Sequence, residues 1–408
     1  MSARISRLPV ADAPADPVAR AGAPSLRARV AACAEIAARA ADAVDSEARF
    51  PGETIGALRE QRLLGISIPE ALGGEGAGIA DVIDVCYGLG SACASSAMIY
   101  AMHQIKVACL VRHGAGNAWQ EGLQRRIAGR QLLMASSTTE GANGGNVRAS
   151  AAAVQVRGAR IALERDASVI SYGEFADGIV TTARRAESAA ASDQVLVAFL
   201  KEDYTLERRQ SWDTLGMRGT CSAGFILRAE GGPDQVLAEP YERIHSQTMM
   251  PVAHLLWSAV WSGIAAGAAE RARGFARKAA RAAQGRPPPA AAHLTRARLS
   301  LETLRGAVQA AARRFERHAA DPSSLSAIDV QLAMNLLKVE ASELAVAVVM
   351  GATRACGLAG YRNDGEFSMG RYVRDILSAP IMINNDRILA DTQAAAMMTG
   401  IPAFLSDL

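Results

Sequence analysis

In the first part of the chain, apolar residues recur at three- and four-residue spacing. Ile55, Leu58, Leu63 and Leu64 follow Pro51 in this way, and the spacing predicts helices. Ile66-Ser67-Ile68-Pro69 and Gly73-Gly74-Glu75-Gly76 interrupt the pattern as a loop. Beyond Gln131 the period shortens to two. Segments 154–156, 160–164, 169–171, 179–182 and 195–200 read as short strands between Gly, Asp and Ser turns, which suggests an antiparallel barrel or sandwich. From Pro251 the helical period returns, over 255–283, 294–319, 326–350 and 385–398, with Pro322 as a break. Four long helices with short connections predict a bundle. The expected fold is α+β: a tail (1–27), an N-terminal helical domain (28–130), a β domain (131–245) and a C-terminal four-helix bundle (246–408).

Composition narrows the function classes. The 408 residues are half hydrophobic, yet no apolar run reaches the ~18 residues of a membrane span, so no membrane partner is expected. Pro9, Pro14, Pro17 and Pro24 among alanines make the first residues read as a flexible tail. It carries Arg4, Arg7 and Arg20 without a signal peptide's hydrophobic core, and a cytoplasmic protein is expected. Net charge is +3, and the basic residues (Arg271, Arg273, Arg277, Lys278, Arg281) scatter along helices as solvated faces, which argues against nucleic acid. Six cysteines without a CxxC pair read as reduced core thiols. There is no metal-ligand spacing, HExxH or Ser/His/Asp order.

The chemistry concentrates in two segments. Thr138-Thr139-Glu140 opens a Gly-rich run to Asn146. Its hydroxyls and backbone N–H groups, with close approach at Gly144 and Gly145, suit a ligand with polar edges and phosphates. Leu215-Gly216-Met217-Arg218-Gly219-Thr220 follows about 70 residues later. In this order the two segments resemble the signatures of the acyl-CoA dehydrogenase flavoproteins, and the likeness in layout covers about residues 28–400. The resemblance implies FAD, an acyl thioester of CoA or a carrier protein, and an electron acceptor or flavin reductase. It makes Ser136, Thr138, Thr139, Gly144, Gly145 and Ser171 flavin contacts and puts Val169 where the family stacks a Trp. Arg281, in Arg281-Ala282-Ala283-Gln284-Gly285, parallels an arginine that reaches the FAD pyrophosphate of a neighbouring subunit. Arg354 and Gly357 parallel a turn from a second subunit, so a homodimer or homotetramer is implied. Asn385 and Arg387 fall where the family's last helix meets the cofactor.

The family's base is a carboxylate after an Arg-Asp pair. Here Arg374-Asp375 is present, but counting without gaps puts Ile383 at the carboxylate, with Asn384 and Asn385 after it; the minority location maps to Leu256. Trp257 replaces an arginine that some members hold near the thioester. Asp386 and His254 are the candidates for a displaced base, although Asn385-Asp386-Arg387 also reads as a helix start with an acidic first turn. Glu140 is expected to organise its loop. The resemblance therefore implies α,β-dehydrogenation of an acyl thioester. A flavin monooxygenase on the same fold and a non-catalytic flavoprotein scaffold are the alternatives.

Overall fold

The computed structural model describes residues 24–141 and 146–404. Helix α1 (Leu26–Ser46) starts where the Ser25 hydroxyl accepts from the Ala28 N–H at 3.3 Å. Helices α2 (Gly52–Glu60), α3 (Ile79–Ala92), α4 (Ala94–His113) and α5 (Ala118–Arg130) complete the N-terminal region. Among the described residues seven strands follow: β1 (Met134–Ser137), β2 (Gln155–Arg157), β3 (Arg160–Ala167), β4 (Gly178–Arg184), β5 (Gln194–Leu200), β6 (Tyr204–Gln210) and β7 (Gly224–Gly231). A short helix α6 (Tyr241–Ile244) then leads through a wide π-type turn (His245–Met249) into α7 (Met250–Ala282). Helices α8 (Ala291–Ala319) and α9 (Ile328–Cys356), short α10 (Leu358–Tyr361), α11 (Gly370–Ile376) and α12 (Ser378–Ile381), and α13 (Asn385–Met398) end the chain. The α, β, α order is the expected one.

The central region differs from a closed antiparallel barrel. It holds a three-stranded sheet in the order β1-β4-β5, with β1 parallel to β4, and a four-stranded antiparallel sheet in the order β2-β3-β7-β6. Neither sheet closes. Segment 169–171, read as a strand, is a crossing loop instead. Ile170 N–H donates to Ala223 O and Tyr172 N–H to Thr220 O, and Tyr172 then takes φ 44°, which ends any extended run.

Helix α7 is the central rod of the bundle. Together with α6 it is long and apolar enough to span a bilayer, but 83% of that apolar window is buried within the protein. It crosses α3 at backbone distance. A Cβ on Gly263 would stand 2.3 Å from Tyr87 O, and one on Gly90 2.6 Å from Val260 O. Only glycine allows that approach. Gly263→Ala is expected to lower stability by about 1–3 kcal/mol, read as a lower denaturant midpoint at unchanged slope.

Candidate functional site

Two of the segments singled out in the sequence meet in space. Met217 N–H donates to Asp375 Oδ1 at 2.7 Å, joining the Gly216 turn to α11. The turn is pressed so close that a Cβ on Gly216 would lie 2.1 Å from Arg374 O. Burial raises the Asp375 carboxyl to about 6, opposed by the Met217 N–H and by Arg371. Arg374 pairs with Asp45 of α1, and Arg371 with Asp42 at 3.1 Å, so this corner also ties the N-terminal helices down.

Between the strands, α4, α7 and α13 lies a cavity of about 640 Å³. Its polar wall holds Ser136, Thr138, Thr139 and Ser171, four of the expected flavin contacts, with Val169 beside them. Ser136 is placed by β1, whose Met134 N–H donates to His103 Nδ1 at 3.0 Å while His103 Nε2–H donates to Leu64 O at 2.8 Å. That double bond fixes the His103 tautomer, and burial holds its pKa down at about 4. Ser171 Oγ lies 2.8 Å from Ser222 Oγ, which lies 2.7 Å from Thr220 Oγ1, and Thr220 donates on to Met217 O at 2.8 Å, a hydroxyl chain that fixes the Ser171 side chain at the wall.

Glu140 holds the loop behind this wall. Its carboxylate accepts from Ala151 N at 2.6 Å and Ala152 N at 3.0 Å, and Arg165 Nη1 lies 3.5 Å away. Both side chains are buried. Gly144 and Gly145 lie outside the described residues.

The apolar wall comes from Met98, Met102 and Ile105 of α4, Met249 and Met250 at the start of α7, and Trp257. Single π-type turns recur at functional sites, and this one contributes His245 and Met249 to the wall. The Trp257 indole Nε1–H is enclosed and has no acceptor among the described residues. His254 also lines the cavity, 5.9 Å from the Trp257 ring. Its Nδ1–H donates to Met334 O at 3.0 Å, and burial pushes its pKa down to about 3, so it is neutral at physiological pH and a weak base.

The positions where a base was sought are now located. Ile383 lines the cavity, and it and Asn384 hold left-handed backbones, φ 54° and 40°. A β-branched residue there is strained, and strain of this kind collects at sites. Leu256 instead lines a separate cavity of about 230 Å³ beside Phe315. Asp386 is exposed and does not line the main cavity; its N–H donates to Asn384 Oδ1 at 2.9 Å, the arrangement of a capped helix start. The carboxylate that α13 does bring to the cavity wall is Asp391, one turn beyond Arg387, which lines it too. Among the described residues of that wall Asp391 is the one acidic group.

Asn385, expected at the cofactor, spends its amide inside the bundle, accepting from Lys338 Nζ at 2.6 Å and donating to Ser342 Oγ at 2.9 Å and Glu343 Oε1 at 2.8 Å, and it does not line the cavity. Arg281, Arg354 and Gly357 are exposed and line no part of it.

Sequence models of the acyl-CoA dehydrogenase N-terminal and C-terminal domains match residues 25–130 and 246–398. The chain belongs to the acyl-CoA dehydrogenase family. It is 34% identical over 107 residues to the 3-sulfinopropanoyl-CoA desulfinase of Paraburkholderia xenovorans strain LB400, a match spanning 26% of this chain and 26% of that protein. Among solved structures it is similar to the FMN-bound dibenzothiophene monooxygenase TdsC of Paenibacillus sp. A11-2 (17% identity, TM-score 0.79, 93% of this chain and 99% of that one). It is also similar to a nitrososynthase of Micromonospora carbonacea var. africana (20% identity, TM-score 0.79, 92% and 96%). At these identities the structural likenesses establish the fold alone.

Proposed function

We propose that the protein is an FAD-dependent oxidoreductase that removes two hydrogens from an acyl thioester. The observation that carries this reading is one cavity with two unlike walls. Hydroxyls on β1, the Thr138 loop and Ser171 face a Met-rich apolar wall, and among the described residues one carboxylate, Asp391, joins the lining. The hydroxyls suit the polar edges of a flavin and the apolar wall suits an acyl chain. Bound there, FAD would supply the hydride acceptor. The chain's own part is to bury the acyl chain against the Met wall and to accept the α-proton at Asp391. The protein acts in the cytoplasm as a homodimer or homotetramer, with an electron acceptor or flavin reductase as partner.

An anaerobic visible spectrum of the FAD-loaded protein tests this as acyl-CoA and acyl-carrier thioesters are added. Bleaching near 450 nm supports it; a bound flavin that no thioester bleaches overturns it.

A second reading is a flavin monooxygenase. Ile383 and Leu256 occupy both locations of the family's base, and two cavity histidines are held neutral, which suits chemistry that needs no α-proton acceptor. Its mark is inertness until reduced flavin and oxygen are supplied together.

A further inference from the structure

Lys106 is the one charged residue between Ala94 and Val111, and α4 carries it into the cavity wall with its side chain fully enclosed. Its ammonium donates to a single group, the Met249 thioether at 3.3 Å, which also receives the Tyr241 hydroxyl at 3.3 Å. Sulfur is a weak acceptor and offers no countercharge. No carboxylate among the described residues stands within ion-pair distance of Lys106. Lys338, the other buried lysine, shows what a satisfied one looks like: it donates to Ala379 O at 3.2 Å and Asn385 Oδ1 at 2.6 Å, and stands over the Trp261 ring.

The surroundings of Lys106 are cationic as well. Arg148 lines the same cavity, and both charges press on His245, which burial already keeps neutral at about 4. The Tyr241 ring lies 5.7 Å from that imidazole, tilted by 58°. Burial lowers Lys106 to about 8, so it is still mostly protonated at neutral pH. A buried ammonium facing a cavity without a counterion is unfavourable until an anion arrives.

We propose that Lys106, with Arg148 on the same cavity wall, is an anion subsite, and that the acyl group of the substrate carries a carboxylate or a similarly charged oxyacid. This rests on the acyl-thioester reading and names the substrate class within it. Two thioesters sharing one CoA portion, succinyl-CoA and butyryl-CoA, isolate the acyl charge from the phosphates of CoA. Binding is read from the perturbed flavin spectrum of the loaded protein, with free succinate as a third ligand. Wild type should bind succinyl-CoA roughly tenfold or more tightly than butyryl-CoA, and Lys106→Met should erase the preference while leaving butyryl-CoA within about twofold. Equal binding of the two thioesters by the wild type, or a preference that survives in Lys106→Met, overturns the subsite and leaves the thioester reading intact. If neither thioester binds but succinate perturbs the wild-type spectrum and not that of Lys106→Met, the subsite stands and the thioester reading falls. If neither succinyl-CoA nor succinate perturbs the spectrum, the subsite is overturned, whatever butyryl-CoA does.

Discussion

Glu140→Gln should lower the unfolding free energy by about 3–5 kcal/mol, the range found when one partner of a buried ion pair is removed. The carboxylate is nearly fully buried and receives two backbone N–H groups, from Ala151 and Ala152. Glutamine can keep one of those bonds, but it turns an amide N–H toward the other donor. It also withdraws the one carboxylate near Arg165 among the described residues; that guanidinium is fully buried and bonds otherwise to the neutral Thr182 O and Ser150 Oγ. Arg165 Nε and Nη2 already lack acceptors among the described residues, so nothing nearby can take up the charge. Burial lowers the Arg165 pKa and Glu140 opposes that; without Glu140 the penalty is unrelieved. Urea unfolding measures the loss. A double variant with Arg165→Met should recover a good part of it, because the stranded charge is gone. If Glu140→Gln loses under about 1 kcal/mol, the pair does not hold this region together.

Asp391→Asn should slow thioester-driven flavin bleaching by about 10²–10⁴, the usual contribution of a positioned general base. An α-proton must leave to a group that lines the cavity and is unprotonated at working pH. His245 and His254 line it too, but burial opposes the positive charge that each would gain with the proton, and holds them at about 4 and 3. Ile383 and Leu256 have nothing to offer. Asp391 shares the cavity wall with Arg387, Ile388 and Ile383. Asp386→Asn makes the contrast: outside the cavity, it should shift stability by only some tenths of a kcal/mol. Bleaching at full rate in Asp391→Asn would move the proton acceptor to another group, with His254 next to be tested.

How far the sequence disclosed this depends on how local each feature is. The order of helices and strands was legible because periods of 3.6 and 2 are written along the chain. The Thr138 loop and the Gly216 turn were legible as short motifs. Segment 169–171 misled because Ile170 is fully buried, as in a strand, but its partners are single backbone bonds to 220–223. β1, β6 and β7 were not read as strands; in β6, Glu207, Arg208 and Arg209 face solvent and blur the alternation. α7 begins before Pro251, since proline in a first turn lacks only an N–H that the helix leaves unbonded. The apolar wall was illegible because it joins α4 to α7 across some 140 residues of chain. Two signals were available and unused: a lone lysine in an apolar helix, and the Arg387–Asp391 spacing that puts both on one face of α13.

The length of α7 has a consequence for how the protein keeps its cofactor. At about 1.5 Å of rise per residue, Arg281 stands roughly 36 Å along the rod from Trp257. No side chain bridges that span. If Arg281 grips a flavin, the flavin belongs to another copy, and each chain lends its far end to a neighbour's cavity while borrowing one for its own. Cofactor retention is then a property of the assembly. Dilution that separates the copies strips the prosthetic group by mass action, and an apoprotein prepared at low concentration regains it only once its copies meet again.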